Sequence, residues 1–242
     1  MRTVFLVAVL ALAPSAAGAQ SAAPTDDTNV AARFVSDVLH DYVDYFSVEN
    51  AETYALGGAA AGGVHPVDHS IATWVQQNNP SALTGGNEYG SQLYQIPVAI
   101  AWWGIASLAG SASNADAGRD LLRAQLSVVS WTYAIKYAVD RTRPNGDPRG
   151  FPSGHASTSW ATATVLQEHY GWKLGLPAFL LAAYTGMSRI YANEHYTSDV
   201  VFGAAVGIAS GRTVTLHLRR SRVAIAPMPV PGGGGVLVTA LK

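Results

Sequence analysis

Three short blocks of this 242-residue chain combine side chains that hold anions with side chains that move protons. The first runs from Lys136 across six residues to Arg143-Pro144. The second is Pro152-Ser153-Gly154-His155, and the third joins Ser188-Arg189 to His195 and Asp199. Arginine presents a planar fork and lysine a point charge, and backbone amides at a helix start add N–H donors. That set suits a tetrahedral oxyanion such as phosphate. His195, four residues before Asp199, reads as an imidazole oriented by its carboxylate, with one ring nitrogen held protonated and the other free to attack. His155 is then the proton donor for the leaving group. Taken singly, each block also has an ordinary reading as a helix cap or a turn.

The elements that must position these blocks are helices. Val30 to Phe46 carries apolar residues at three- and four-residue steps with Asp37, Asp41 and Asp44 between them, an amphipathic pattern. Glycines 57, 58, 62 and 63 read as interrupting the next segment, and Asp68 to Gln77 as a short helix. Long apolar segments follow at Leu93–Leu108, Leu121–Val139, Ala156–His169, Leu174–Ser188 and Ser198 to about Leu218. None alternates with period two, so the class is all-α, a helical bundle. Each block falls at an end of one of the last four long helices. In an antiparallel bundle with short connections those ends meet at one pole, and the active site is expected there. His195, Asp199, Gly203, Gly207 and Gly211 also fall on one stripe of the last helix, where the glycines admit a close neighbour.

Composition narrows the chemistry. With 49% hydrophobic residues, 13% charged residues and a net charge of -1, the chain can bury a core and carries no basic footprint for nucleic acid. The absence of cysteine excludes disulfides, thiolate metal sites and a cysteine nucleophile. Residues 1–19 read as a signal peptide with Ala17 and Ala19 at the cleavage spacing, which implies export. Residues 20–29 read as a linker, 30–90 as an N-terminal helical segment, 91–218 as the core bundle and 219–242 as a tail. Two apolar runs around Gly232–Gly235 in that tail fit either a hairpin or a frayed end.

The three blocks resemble, in order and internal spacing, the three-part motif of the type 2 phosphatidic acid phosphatase superfamily, which also holds bacterial class A acid phosphatases and vanadium haloperoxidases. The resemblance covers Lys136, Arg143, Pro144, Pro152, Ser153, Gly154, His155, Ser188, Arg189, His195 and Asp199. It implies that Lys136, Arg143 and Arg189 hold the phosphoryl oxygens with Ser153 and the Gly154 amide. It implies that His195 forms a phosphohistidine, that His155 protonates the alkoxide and then activates water, and that Asp199 orients His195. It implies no cofactor and no metal, with vanadate as an inhibitor. The chain departs from the pattern in the short Asn145–Phe151 connection, which implies an open site. Asp140, Arg141, Asp147 and Arg149 beside it read as solvated surface charges, and His40, His65, His69, His169 and His217 as structural or exposed.

Four functions follow from this reading. The leading one is a phosphatase for a lipid or isoprenoid phosphate at the outer face of a membrane. A soluble nonspecific acid phosphatase, a vanadium haloperoxidase and a non-catalytic phosphate binder are the others. The segments are marginal for crossing a bilayer, which takes about 20 apolar residues, whereas Leu174–Ser188 is shorter and Leu121–Val139 contains Arg123 and Lys136. The Arg212, Arg219, Arg220 and Arg222 cluster is expected at the pole opposite the site.

Overall fold

The computed structural model describes residues 29–78, 85–216, 218, 223–230 and 233–240. The signal-peptide reading, most of the linker, His217 and the arginines at 219, 220 and 222 lie outside them. Helices α1 (Val30–Asp44), α2 (Val48–Val64), α3 (Asp68–Asn78) and α4 (Gly86–Tyr89) precede five long ones. These are α5 (Gln92–Leu108), α6 (Ala112–Val139), α7 (Gly154–Tyr170), α8 (Trp172–Tyr191) and α9 (Thr197–Val214). The body is all-α. Strands β1 (Val223–Val230) and β2 (Gly233–Ala240) form an antiparallel hairpin in the tail, with Val223 opposite Ala240 and Val230 opposite Gly233.

Two readings are corrected. Gly57, Gly58, Gly62 and Gly63 do not break the second segment but lie inside the continuous helix α2. Gly57 faces Ala205 so closely that a methyl group would overlap it, and the lost side chain lets α2 lie directly on α9. Helix α6 begins nine residues before the apolar run at Leu121, because Ala112–Asp120 has small and polar residues and gives no periodic apolar signal.

The core sits between α6, α7 and α9, where Leu121, Ala124, Val128, Ala161, Val165 and Val206 are buried together. The glycine stripe of α9 works as its spacing implies. A Cβ on Gly203 would come 2.7 Å from the Ser153 carbonyl oxygen, one on Gly211 would come 2.6 Å from Thr164 Cβ, and one on Gly207 would overlap the Ser157 carbonyl oxygen. Helix α9 therefore rests on the backbone of α7. A buried ion network fastens α1 to this core. Arg123 on α6 donates to both oxygens of Asp41 at 2.7 and 2.8 Å and to Asp120 at 2.9 Å, and Asp120 meets His169 of α7 at 2.9 Å. His169 is thus structural, as its sequence reading has it.

The glycines yield an opposed pair of expectations. Gly207→Ala overfills the α7–α9 contact and is expected to cost about 1–3 kcal/mol or more in urea unfolding. Gly58→Ala, mid-helix with open space around the new methyl group, is expected to add about 0.5–1 kcal/mol. Equal effects at the two positions would contradict the packing described.

Candidate active site

The three blocks meet. Lys136 lies in the last turn of α6 and Arg143 four residues past its end. Ser153 is the N-cap of α7, whose first residues are Gly154 and His155. Arg189 occupies the last turn of α8, and His195 immediately precedes Tyr196, the N-cap of α9. Lys136, Arg143, Gly154, His155, Arg189 and His195 share the wall of one cavity of about 200 Å³, with Gly90–Leu93, Val129, Thr132, Tyr133 and Thr158 completing it. Ser153 and Asp199 stand behind that wall, both fully buried. Ser153 accepts the Ala156 N–H at 3.5 Å, and its own N–H donates to the Asp199 carbonyl at 2.9 Å. Ser153 thus caps α7 rather than facing the cavity.

The fixed cations lie close together, and their partners are few. Lys136 Nζ donates to the Arg149 carbonyl at 2.7 Å. Arg143 pairs with Glu194, whose carboxylate also lies 3.4 Å from Arg189 Nη2, and Arg189 donates to the side-chain oxygen of Asn87. The Nε atoms of both arginines are buried without a hydrogen-bond partner among the described residues. Buried donors of this kind are rare in native structures, and beside a cationic cavity they fit an incoming oxyanion.

The His195–Asp199 pair is looser and more shared than its spacing implies. Asp199 Oδ2 lies 3.6 Å from His195 Nδ1, beyond a good hydrogen bond, and accepts the Tyr196 N–H at 2.9 Å. Oδ1 accepts from Arg141 at 2.6 Å. Arg141 is therefore not a solvated surface charge: it also binds Ser198 and Asp68. His65 joins that cluster, 3.1 Å from Asp68. Arg149 stays at the surface, stacked over the Tyr137 ring. Sequence reading missed Asp68, Asn87 and Glu194 as parts of the site. Only Glu194, next to His195, offered a signal by its position.

Electrostatics follows from crowding. Burial, then the charges of Arg143 and Arg189, lowers Lys136 to about 8 against the pull of Asp199. Burial, then Arg189, His195, Arg143 and Lys136, lowers His155 to about 3. Burial lowers His195 to about 4; Lys136 and Arg143 add to this, while Asp199 pulls the other way. Both imidazoles are therefore neutral at neutral pH. His195 is then competent to attack, whereas His155 gains a donor proton only when an anion offsets the neighbouring cations.

The helical fold brings the three blocks to one cationic cavity. Residues 132–222 match the model of the PAP2 superfamily, which supports the resemblance of the three blocks to the type 2 phosphatidic acid phosphatase superfamily. Over 82 residues it is 43% identical to a lipid A 1-phosphatase of Porphyromonas gingivalis, a match covering 32% of this chain and 18% of that protein. Over 79 residues it is 33% identical to a lipid A 4'-phosphatase of Helicobacter pylori, covering 33% of this chain and 40% of that one. The chain thus spans less than half the length of either curated relative in these matches. The fold is shared with the crystal structure of a transmembrane PAP2 type phosphatidylglycerolphosphate phosphatase from Bacillus subtilis. The TM-score is 0.58 at 18% identity, over 71% of this chain and 96% of that one. It is also shared with Aquifex aeolicus LpxE, with a TM-score of 0.50 at 21% identity over 62% and 95% of the two chains.

The depressed histidines make stability depend on pH. The unfolded chain takes up protons below about 6.5 that the folded one refuses, so stability present above that pH is lost as it falls toward 4. His195 alone accounts for on the order of 3 kcal/mol. Thermal melts are expected to show Tm falling across that window, and to show less of a fall with inorganic phosphate bound. A Tm unchanged from neutral pH to about 4.5 would contradict the electrostatics.

Proposed function

We propose that the chain is a phosphatase that hydrolyses a phosphate monoester or diphosphate of a lipid through a phosphohistidine, without a metal. The observation that carries this reading is the single cavity in which Lys136, Arg143 and Arg189 surround two neutral imidazoles. In the proposed cycle the three cations and the α7 N-terminal amides bind the phosphoryl oxygens, and the bound dianion restores a proton to His155. His195 attacks phosphorus through its free ring nitrogen while the bond to the leaving oxygen breaks, and His155 gives that oxygen its proton. The neutral His155 then removes a proton from water, which attacks the phosphohistidine and releases phosphate. The cations are in place before charge spreads over the equatorial oxygens, so no reorganisation is required in the transition state.

A lipid substrate is supported by the cavity rim and by the outer surface. Leu93, Val129 and Tyr133 line the side of the cavity next to α5. The outer face of α5 exposes Leu93, Val98, Ile100, Ile105 and Leu108, and that of α8 exposes Trp172, Leu176, Leu180 and Met187. Exposed apolar side chains gathered along a helix in this way favour an interaction site. No helix among the described residues is long and apolar enough to cross a membrane. Association with a lipid surface after export, the site facing outward, is the localisation that fits both facts.

The purified chain is expected to release phosphate from a lipid phosphate ester in the presence of chelator and to be inhibited by vanadate. His195→Ala is expected to lower kcat by at least about 1000-fold. Chelator-sensitive turnover, or full activity in that variant, would overturn the mechanism. Activity confined to soluble esters, with the protein released from membranes by carbonate, would make it a soluble nonspecific phosphatase. Halogenation of a dye with vanadate and peroxide would point to a haloperoxidase instead.

A further inference from the structure

Arg141 precedes Arg143 by two residues but turns away from the cavity. Its Nη1 donates to Asp199 Oδ1 at 2.6 Å and to Ser198 Oγ at 2.7 Å. Its Nη2 donates to Asp68 Oδ2 at 2.9 Å and lies 3.3 Å from His65 Nδ1. The guanidinium carbon sits 4.3 Å above the centre of the Tyr196 ring. Asp68, the first residue of α3, is fully buried, and its Oδ1 accepts the Ser198 N–H at 3.0 Å. That N–H is one of the first four of α9, which have no partner within the helix. Asp68 lies outside residues 132–222, the part that matches the family model.

We propose that Arg141, held in place by Asp68 of the N-terminal helices, is a positioning residue for His195, setting both the orientation and the effective charge of Asp199. This rests on the reading of His195 as the nucleophile. With Oδ1 tied to Arg141, the carboxylate plane is fixed and Oδ2 is the oxygen left facing His195. The Arg141 charge also offsets Asp199, which limits how basic Asp199 makes the imidazole and keeps it in the neutral, attacking form. Other charged and titratable groups around His195 are Lys136 on α6, Arg143 in the following connection, His155 on α7, Arg189 on α8 and Glu194 beside it in sequence. The variants below leave all of them in place. Because Asp68 anchors both Arg141 and the first turn of α9, docking of the N-terminal helices and orientation of Asp199 form one network.

The test compares the purified full chain with Arg141→Gln, Arg141→Lys, Asp68→Asn and the double variant Asp68→Asn/Arg141→Gln. Each is assayed on a chromogenic phosphate monoester across pH, with circular dichroism as the check of folding. Arg141→Gln is expected to lower kcat by roughly 10- to 100-fold with KM changed by less than about threefold. Without the Arg141 charge, Asp199 holds the proton on His195 more strongly. The acid limb of kcat/KM, which reports loss of neutral His195, is therefore expected to move up by about half a pH unit to one unit. Arg141→Lys keeps the charge and loses the fork, so the limb is expected to stay while kcat recovers only in part. Asp68→Asn is expected to lower kcat, and the double variant to lose no more than Arg141→Gln alone, the sign of a shared pathway.

A wild-type kcat and limb in Arg141→Gln would overturn the proposal. So would a loss carried by KM alone, which would put Arg141 on the substrate. Should Arg141→Gln not fold, Arg141→Lys decides: a lowered kcat with an unmoved limb supports the role, and a wild-type kcat overturns it. A wild-type chain that cleaves no phosphate ester would overturn the functional reading itself, whereas an active one matched by its variants overturns only the role of Arg141.

Discussion

The contact between α7 and α9 is the constraint on which the site depends. Along α9, Gly203, Gly207 and Gly211 place the helix against the α7 backbone, with the Ser153 carbonyl, the Ser157 carbonyl and Thr164 beneath them. At the top of that contact the Ser153 N–H donates to the Asp199 carbonyl, joining the N-terminus of α7 to the first turn of α9. His155 and His195 therefore face one cavity because two helix starts are fixed to each other by backbone, which does not rotate as side chains do. Glycine in a helix costs about 1 kcal/mol relative to alanine. Three of them on one face are retained because van der Waals contact and a fixed spacing replace what propensity loses.

Bringing the helix ends together concentrates positive charge, and the rest of the pole answers it. Burial first, and then two arginines and a lysine that disfavour any further positive charge, hold both imidazoles well below the ordinary histidine range. Glu194 holds Arg143 and Arg189, and Asn87 takes another N–H of Arg189. These partners balance the cations without filling their valences, since the Nε of each arginine has no partner among the described residues. In the proposed cycle an entering phosphate dianion completes those hydrogen bonds and offsets the cations at His155. In that cycle, binding and the supply of the proton are one electrostatic event rather than two.

The chain made the site legible where its chemistry lies in short range. Lys136 to Arg143, Ser153 to His155 and His195 to Asp199 are local blocks at helix ends, and helix order alone brings the ends together. The partners that tune them were not legible, because they come from far away in sequence. Asp68 reaches Arg141 across 73 positions, and Asn87 reaches Arg189 across 102. Periodicity identifies a buried face but does not pair two distant charges, so Arg141 read as solvated when Asp68, Asp199, Ser198 and His65 surround it. The glycines of α2 misled for the opposite reason. Local propensity argues for a break there, and packing of Gly57 against Ala205 outweighs it.

The low charge content is explained by where the charges go. Arg123 is enclosed with Asp41 and Asp120, and Arg141 with Asp68 and Asp199, while Arg143 and Arg189 share Glu194. Much of the scarce charge is thus inside, fixing helices or building the cavity, while leucines, isoleucines and tryptophans stand on the outer faces of α5 and α8. A bundle dissolved in water ordinarily has the reverse arrangement. Helix α5 has no charged residue between Gln92 and Leu108, yet its 17 residues reach roughly 25 Å, short of the ~30 Å hydrocarbon core of a bilayer. The apolar outer face of α5 and the cationic cavity beside its Leu93 end are what support the proposed lipid substrate. In the proposed reading the phosphate enters the charged pole and the apolar portion of the substrate lies against α5.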